Sequence, residues 1–345
     1  MAVSRLWPEA VRLLIGAGAD LNDETGPGSG LMKAVKLGRV DLVQLLMEGG
    51  ADLEMKEDQR TVLRVALECQ EREVAKYLVD VGTDLSAVDQ LGPRPLDIAA
   101  FLGQTDVVQR MLDKGADVHA VTKNPSKPDH DILDGVTAVH HAACGGHTGT
   151  VSLLLDQEGG DVNVRSARGL TPLMCTVIQM SAKGVPADHV EVAQLLLSRG
   201  ARLDAEDKDG MTLLHIAAQN FSLKVAELAI DSGIDVDARN NHWQTPLLIV
   251  CRGVNQIPGT AFEKDFNEQS VNLARLLVDR GANLWVEDLE GNTPWSLVDS
   301  APFAYRPLRT FIAQAIGNAV ARMGGWKYGD ETFKKGAEED KEEGS

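Results

Sequence analysis

The hydrophobic residues of this chain recur with a helical period in short stretches that are separated by polar turns. Clear examples are residues 40–47 (VDLVQLLM) and 190–197 (VEVAQLLL), where apolar side chains return every three or four positions. This spacing puts the apolar side chains on one face and predicts an amphipathic helix of two to three turns in each stretch. Gly50 and Gly200 follow soon after, and glycine suits the left-handed residue that commonly ends a helix.

The same glycine belongs to a phrase, Gly-Ala-Asp or a close variant, that returns eight times. Its first glycines are Gly18, Gly50, Gly82, Gly115, Gly159, Gly200, Gly233 and Gly281. They are separated by 32, 32, 33, 44, 41, 33 and 48 residues. A spacing near 33 that is often lengthened indicates one structural unit copied along the chain, with segments inserted into some copies.

A second signature precedes the first helix of each unit. It is clearest at residues 134–143 (DGVTAVHHAA) and 209–218 (DGMTLLHIAA). Asp-Gly marks a turn, and Thr can cap the helix that follows. Proline takes the first helical position in Thr171-Pro172, Thr245-Pro246 and Thr293-Pro294, where its missing N–H costs nothing. Each unit is therefore predicted to be a turn, a short helix, a second helix and a loop.

Together these signatures resemble the ankyrin repeat, whose recurring words are Asp-x-x-Gly-x-Thr-Pro-Leu-His-x-Ala-Ala and Gly-Ala-Asp-Val-Asn. The resemblance covers about residues 10–315 and implies an all-α ankyrin-repeat solenoid with about seven full repeats. Individual copies depart from the pattern: segments 30–33 (GLMK), 61–64 (TVLR) and 94–97 (RPLD) stand where Thr-Pro-Leu-His is expected. These departures leave the fold intact but give each repeat its own surface.

The predicted boundaries follow from the repeats. We expect an N-terminal capping helix within 1–24, repeats with a C-terminal cap over 25–317, and an acidic, disordered tail over 318–345. Three inserted segments lie near 122–133, 180–188 and 255–270. Segments longer than the repeat requires are commonly either functional or disordered, and the sequence leaves both alternatives open.

Charge narrows the range of partners. The 345 residues include 51 acidic and 34 basic side chains, for a formal charge of −17. This balance disfavours nucleic acid and anionic membranes as partners, since both require a basic surface. It permits a partner protein with a basic surface without requiring one.

Cysteine usage and hydropathy bear on localisation. The four cysteines are Cys69, Cys144, Cys175 and Cys251, and they lack the paired spacing of a disulfide framework, which favours a reducing compartment. No apolar run approaches the ~20 residues of a membrane span. Residues 1–21 carry no secretory signal. We therefore expect a cytoplasmic or nuclear protein, and a monomer by default.

One segment raises the question of metal binding or catalysis. Residues 140–147 (HHAACGGH) contain three histidines and a cysteine, residue types that bind zinc. The resemblance places His140 and His147 on repeat positions whose histidines make structural hydrogen bonds between neighbouring turns. Only His141 and Cys144 exceed the pattern, and two ligands are too few for a zinc site. We expect no catalytic residue, cofactor or metal; an enzyme with a site around His141 and Cys144 is the remote alternative.

The resemblance instead implies a non-catalytic scaffold or adaptor that binds partner proteins across a concave surface of turn tips and first helices. A regulatory or targeting subunit of an enzyme complex is a second alternative. The expected partner-binding residues are Arg60, Glu68, Phe101, His141, Met211, Gln219, Asn220, His242, Trp243, Gln244, Arg252 and Trp285.

Trp243 is the sharpest candidate because it stands where the turn glycine of the repeat belongs. An exposed tryptophan on a rigid frame is a residue type that often anchors an interface. The alternative is that Trp243 packs against the inserted segment 255–270, and the sequence does not decide between the two.

Overall fold

The computed structural model describes residues 8–22, 29–87, 92–122, 134–178, 188–253, 263–300 and 306–322. The chain divides into two compact units, Met1–Arg202 and Leu203–Ser345. Each unit is built from short helices that follow one another in pairs, as the repeated pattern predicts.

Two layers of helices make up the first unit. Its elements are α1 (Pro8–Gly16), α2 (Gly30–Lys36), α3 (Val40–Glu48), β1 (Lys56–Glu57), β2 (Arg60–Thr61), α4 (Val62–Glu68), α5 (Arg72–Val81), α6 (Pro95–Phe101), α7 (Thr105–Asp113), α8 (Ala138–Cys144), α9 (Thr148–Leu155), α10 (Pro172–Cys175) and α11 (Val190–Ser198). The first helices α2, α4, α6, α8 and α10 each contact the next in that order, and so do the second helices α3, α5, α7, α9 and α11. The two short strands pair antiparallel in one turn.

The second unit continues the same alternation. Its elements are α12 (Leu213–Asn220), α13 (Leu223–Asp231), α14 (Pro246–Gly253), α15 (Glu263–Asp279), α16 (Pro294–Asp299) and α17 (Arg306–Arg322). Helices α12, α14 and α16 form one layer, and α13, α15 and α17 form the other. The described residues thus contain the expected seven helix pairs, from α2–α3 to α14–α15, and a terminal pair α16–α17.

The core consists of the apolar faces that the periodicity predicts. In α3, Leu42, Val43 and Leu46 are buried, and the Ala142-Ala143 pair of α8 is completely buried. Each Leu or Val removed from water in this way contributes about 1.5–3 kcal/mol. Alanine at the helix contacts lets neighbouring first helices approach closely.

The recurring Gly-Ala-Asp phrase ends the second helix and turns the chain. Gly50 has φ of +90°, in the left-handed region that glycine adopts without strain. The Asp52 carboxylate accepts the N–H of Glu54 at 2.9 Å, and Asp84 accepts that of Ser86 at 2.8 Å. The recurring aspartates therefore stabilise turns.

Parts of the predicted insertions and tail fold differently from expectation. Residues 263–270, expected in an inserted loop, form the first half of α15, and α17 extends to Arg322 beyond the expected start of the tail. Thr122 belongs to the frame: its N–H donates to the Val136 carbonyl at 2.7 Å. The remaining parts of the predicted insertions and tail, at 123–133, 180–187, 255–262 and 323–345, lie outside the described residues. Among the helices described, none has the length and hydropathy needed to cross a membrane.

Candidate functional site

His140 belongs to the hydrogen-bonded frame that joins neighbouring repeats. The Thr137 N–H donates to its Nδ1 at 3.1 Å, and its Nε2 donates to the carbonyl of Leu170 in the next repeat at 3.0 Å. Burial lowers the pKa of His140 to about 4, so the ring is neutral at pH 7 and both nitrogens are occupied. The structure confirms a structural role for this ring.

Two further histidines serve the same purpose. His215 accepts from the Thr212 N–H at 3.1 Å and donates to the Gln244 carbonyl at 3.0 Å. His147 reaches in the opposite direction, donating from Nε2 to the carbonyl of Phe101 in the preceding repeat at 3.0 Å. The two histidine positions therefore connect the copies that carry them to the copy after and to the copy before.

His141 and Cys144, which exceed the repeat pattern, are buried, with 2% and 8% of their surfaces exposed. The prediction that His141 contacts a partner is wrong, because the neighbouring repeat covers the ring, with Thr122 Oγ1 3.3 Å from Nε2. A hydrogen bond with Cys144 and burial raise the pKa of the Cys175 thiol well above its ordinary value, so it is not an activated nucleophile. Among the described residues, no three His, Cys, Asp or Glu side chains are grouped to hold a metal ion.

The candidates of the first unit are largely engaged with one another. The Arg60 guanidinium lies 3.5 Å from the Glu68 carboxylate and 3.2 Å from Asp58. Glu68 also accepts from Arg64 Nε at 2.7 Å. Phe101 is half-buried at the end of α6. The structure thus brings Arg60 and Glu68 together, but as an ion-pair network in which their charges offset each other.

Four of the eight candidates of the second unit lie in the turn that precedes α14 or in the turn before it. Trp243 is 55% exposed, and His242 beside it is also exposed. The Asn240 side chain organises this turn: its Oδ1 accepts the Gln244 N–H at 2.9 Å, and its Nδ2 lies 3.2 Å from Met211 Sδ in the preceding turn. Four of the predicted residues therefore lie in two adjacent, interlocked turns.

Arg252 connects α14 to the following turn. Its Nη2 lies 2.8 Å from both the Asp288 and the Glu290 carboxylates. Burial alone would raise the pKa of Asp288, but hydrogen bonds from Asn292, Glu290 and Arg252 hold it below its ordinary value. Arg252 therefore joins α14 to the following turn through ion pairs, and its side chain is half-buried.

The remaining candidates occupy separate positions. Trp285 is 46% exposed in the turn after α15. Gln219 is exposed near the end of α12, where the Asn220 side chain donates to the Ile216 carbonyl at 2.9 Å. Trp285 and Gln219 are exposed but belong to different elements.

Sequence reasoning missed two residues of the Trp243 turn region. Leu289 is 60% exposed in the next turn, and the Arg239 guanidinium lies 5.4 Å from the centroid of the Trp243 ring. The signal for Leu289 was available, because the equivalent positions are the polar Lys208 and Asn241. The signal for Arg239 was not, since its side-chain direction depends on the tertiary structure.

The curated proteins that are similar to this chain are much longer than it, and the similarity covers a small part of each. The chain is 24% identical over 249 residues to the E3 ubiquitin-protein ligase KEG of Arabidopsis thaliana, covering 61% of the chain and 14% of the relative. It is 34% identical over 144 residues to the human SH3 and multiple ankyrin repeat domains protein 1, covering 41% of the chain and 6% of the relative. The chain therefore spans a small fraction of either protein's length.

Comparison with solved structures and family models agrees with the observed helix pairs. The crystal structure of the human ASB11 ankyrin repeat domain superimposes with a TM-score of 0.55 at 21% identity, covering 74% of the chain and 99% of that structure. The family model for ankyrin repeats (3 copies) matches residues 1–89, 31–122, 96–206 and 180–288. Since these matches extend over most of the sequence, the chain belongs to the ankyrin repeat family.

Proposed function

We propose that this protein is a non-catalytic binding module that holds partner proteins at its turn tips, with Trp243 as an anchor. Ankyrin repeats are in general protein–protein interaction modules, which supports the class of function. The observation that carries the proposal is the state of Trp243: a large, exposed aromatic side chain in a backbone conformation that favours glycine.

A rigid frame presents Trp243. Its own N–H donates to the Asn240 carbonyl at 2.9 Å. The neighbouring Asn241 N–H donates to the Asp209 carbonyl of the preceding turn at 3.0 Å, and the His242 carbonyl accepts the Leu289 N–H of the following turn at 3.2 Å. Because the turn is fixed on both sides, a partner that binds there orders little of the frame, which favours affinity.

The backbone of Trp243 is strained. Its φ is +59°, and the equivalent residues of the adjacent turns are Gly210, with φ of +73°, and Gly291, with φ of +77°. A bulky residue in this region is an outlier that costs about 1 kcal/mol or more. Such strain is commonly retained at functional sites.

Phe221 shows how a left-handed aromatic residue can instead serve packing. Its φ is +55°, but its ring lies against the next repeat, 3.3 Å from where a Cβ on Gly253 would stand. Trp243 differs because more than half of its surface is exposed. Part of the inserted segment against which Trp243 was alternatively expected to pack, residues 255–262, lies outside the described residues.

Charge and cysteine chemistry support the rest of the proposal. A formal charge of −17 favours protein partners with a basic surface over nucleic acid or anionic membranes. All four cysteines are free thiols, as expected in the cytoplasm or nucleus. We propose a monomer in one or both of these compartments.

Replacing Trp243 with glycine is expected to weaken binding of the natural partner at least ~10-fold, in the range of interface anchors. The measurement is affinity capture with mass spectrometry, followed by titration of the captured partner. The matched control is Gln59→Gly, because Gln59 holds the same repeat position in the first unit, with φ of +66°. Undiminished binding by Trp243→Gly, or equal loss in both variants, would contradict the anchor role.

Neither glycine variant is expected to unfold the protein. Trp243→Gly relieves the strain of the left-handed backbone, which stabilises the folded state. It also loses the contact with Arg239, worth about 0.5–1 kcal/mol at an exposed site. Glycine raises the entropy of the unfolded chain, which lowers stability. The expected free energy of unfolding stays within about 1 kcal/mol of wild type. Urea unfolding followed by circular dichroism measures this, and a large loss would identify Trp243 as a packing residue.

A further inference from the structure

The first helices of the first unit offer a second surface, which does not include Trp243. We propose that this surface binds an acidic segment of a partner protein, whose carboxylates pair with lysine and arginine while a neighbouring apolar side chain packs beside them. The inner surface is defined as Lys33, Lys36, Leu37, Arg60, Glu68 and Phe101. Three of these residues, Arg60, Glu68 and Phe101, are also predicted from the sequence to bind a partner.

Lys33 supplies a positive charge without a partner. Side chains three and four positions apart are neighbours on a helix, so Lys33, Lys36 and Leu37 share one face at the end of α2. Lys36 forms an ion pair with Glu57 in the next turn. Lys33 is half-buried, and its side chain has no hydrogen bond or ion pair within the described part of the chain. A partner carboxylate can therefore pair with Lys33 without breaking an existing contact.

Arg60 is a second cation that can take up a partner carboxylate. Its Nη1 lies 3.5 Å from the Glu68 carboxylate and its Nη2 lies 3.2 Å from that of Asp58. The Asp58 side chain is 81% exposed, and ion pairs between exposed side chains contribute little to stability. A guanidinium has more N–H donors than these two contacts use. A partner carboxylate can therefore join Asp58 at Arg60 or replace it.

Positive charge exceeds negative charge around the inner surface, although the formal charge of the chain is −17. In the next first helix, α6, the positions of Lys33 and Lys36 are held by Ile98 and Phe101. The excess is therefore confined to α2, α4 and the turn between them. An acidic segment is attracted to such a surface and a basic segment is repelled. The charged side chains are Lys33, Lys36, Arg60 and Arg64 on one side of the balance and Glu57, Asp58 and Glu68 on the other.

A row of apolar side chains borders these charges. Leu37, Cys69 and Leu102 are the C-cap residues of α2, α4 and α6, which contact each other in that order. Leu37 is 47% exposed, Cys69 is exposed, and Leu102 is half-buried beside Phe101. Free cysteine behaves as a small apolar side chain. The row suits a segment that carries a leucine or an aromatic residue next to its acidic residues.

The turn after α4 is strained at the edge of this row. Gln70 has φ of +61°, whereas the equivalent residues after α2 and α6 are Gly38, with φ of +65°, and Gly103, with φ of +64°. The left-handed conformation costs a residue with a Cβ free energy, and such strain is commonly retained at functional sites. Gln70 directly follows Cys69 and is exposed, which supports a binding role for this part of the first unit.

Nucleic acid fits the inner surface less well than an acidic protein segment. It requires a broad basic surface, whereas the cations here are few and alternate with carboxylates. It would also leave the exposed Leu37 uncovered.

A peptide selection tests the inference. The full chain, immobilised, is presented with a phage-displayed library of random linear peptides, and the enriched peptides are synthesised. We expect one group of peptides to combine aspartate or glutamate with a leucine or an aromatic residue, and to bind more weakly as salt rises. Lys33→Glu should lower their affinity at least ~10-fold, because it places a like charge against the peptide. Remaking each peptide with asparagine or glutamine at the acidic positions should abolish binding.

Matched variants separate this surface from the rest of the chain. Lys208→Glu makes the same change of charge at an exposed lysine of the second unit and should leave the affinity unchanged, as should Trp243→Gly. Leu37→Ser should weaken binding several-fold, whereas Leu13→Ser, at a leucine of α1 that is 75% exposed, should not. Lys33→Gln removes the charge without reversing it and should weaken binding by a smaller factor than Lys33→Glu.

Three results would overturn the inference. They are the absence of any enriched peptide that responds to the Lys33 variants, responsive peptides that are basic or neutral, and equal losses in Lys33→Glu and Lys208→Glu. Circular dichroism of each variant shows whether a loss of affinity comes from unfolding. A natural partner that needs Trp243 while no peptide responds to Lys33 would leave the proposed function standing.

Discussion

Replacing Arg94 with alanine is expected to destabilise the first unit by about 3–5 kcal/mol. Arg94 and Asp97 form a buried ion pair: Nε and Nη2 lie 3.0 and 2.9 Å from the two carboxylate oxygens. Their side chains are only 9% and 0% exposed. Removing the guanidinium leaves a buried carboxylate with hydrogen bonds from Thr122 and the residue 94 N–H but with no counter-charge. Urea unfolding of the full chain, followed by circular dichroism, measures the loss.

The matched control restores the sequence that is usual at this position of the repeat. In Arg94→Thr/Asp97→His, the segment 94–97 reads Thr-Pro-Leu-His. We expect the new histidine to donate to the Val136 carbonyl, as His140 donates to the Leu170 carbonyl. Those carbonyls are equivalent, since Val136 accepts the Thr122 N–H as Leu170 accepts the Ser166 N–H. We expect the double variant to regain most of the stability. Equal destabilisation of both variants would show that the cost comes from lost packing and not from the unpaired charge.

The pairing of Arg94 with Asp97 could not be predicted from the sequence. The helix pairs and the turns were predictable because period and turn chemistry are local and repeat along the chain. The sequence shows that Arg94 and Asp97 depart from the motif. It does not show that they replace the usual Thr and His with an ion pair, because that depends on how the adjacent repeats pack against each other. The exposure of His141 was wrongly predicted for the same reason. Thr122 was expected to belong to an insertion, but it packs in the repeat stack and contacts the His141 ring.

At the candidate site, the sequence could identify Trp243 by its glycine position. It could not show that the ring is exposed and faces Arg239, nor that Arg60 and Glu68 pair with each other. Exposure and ion pairing depend on side-chain directions across the stack, whereas the repeat pattern fixes only which turn carries each residue.

Lowering the pH from 7 to 5 is expected to destabilise the first unit, with the contribution of His140 amounting to about 2 kcal/mol. Burial lowers the pKa of His140 from 6.5 to about 4, and burial also lowers the pKa of His141 and His147. For a base whose pKa is depressed on folding, the unfolded chain takes up the proton first. The stability is therefore complete above pH 6.5 and is lost as the pH falls towards 4.

The hydrogen bonds of His140 explain why protonation is so unfavourable. Nδ1 accepts the Thr137 N–H and Nε2 already donates to Leu170, so a second proton would have to sit on the nitrogen that faces a donor. His140→Gln should lower stability at pH 7 but make its decline between pH 7 and 5 shallower. His119→Gln is the control, because His119 is exposed in the same unit. If the slope of unfolding free energy against pH is the same in wild type and His140→Gln, the buried ring is not the group that couples protonation to stability.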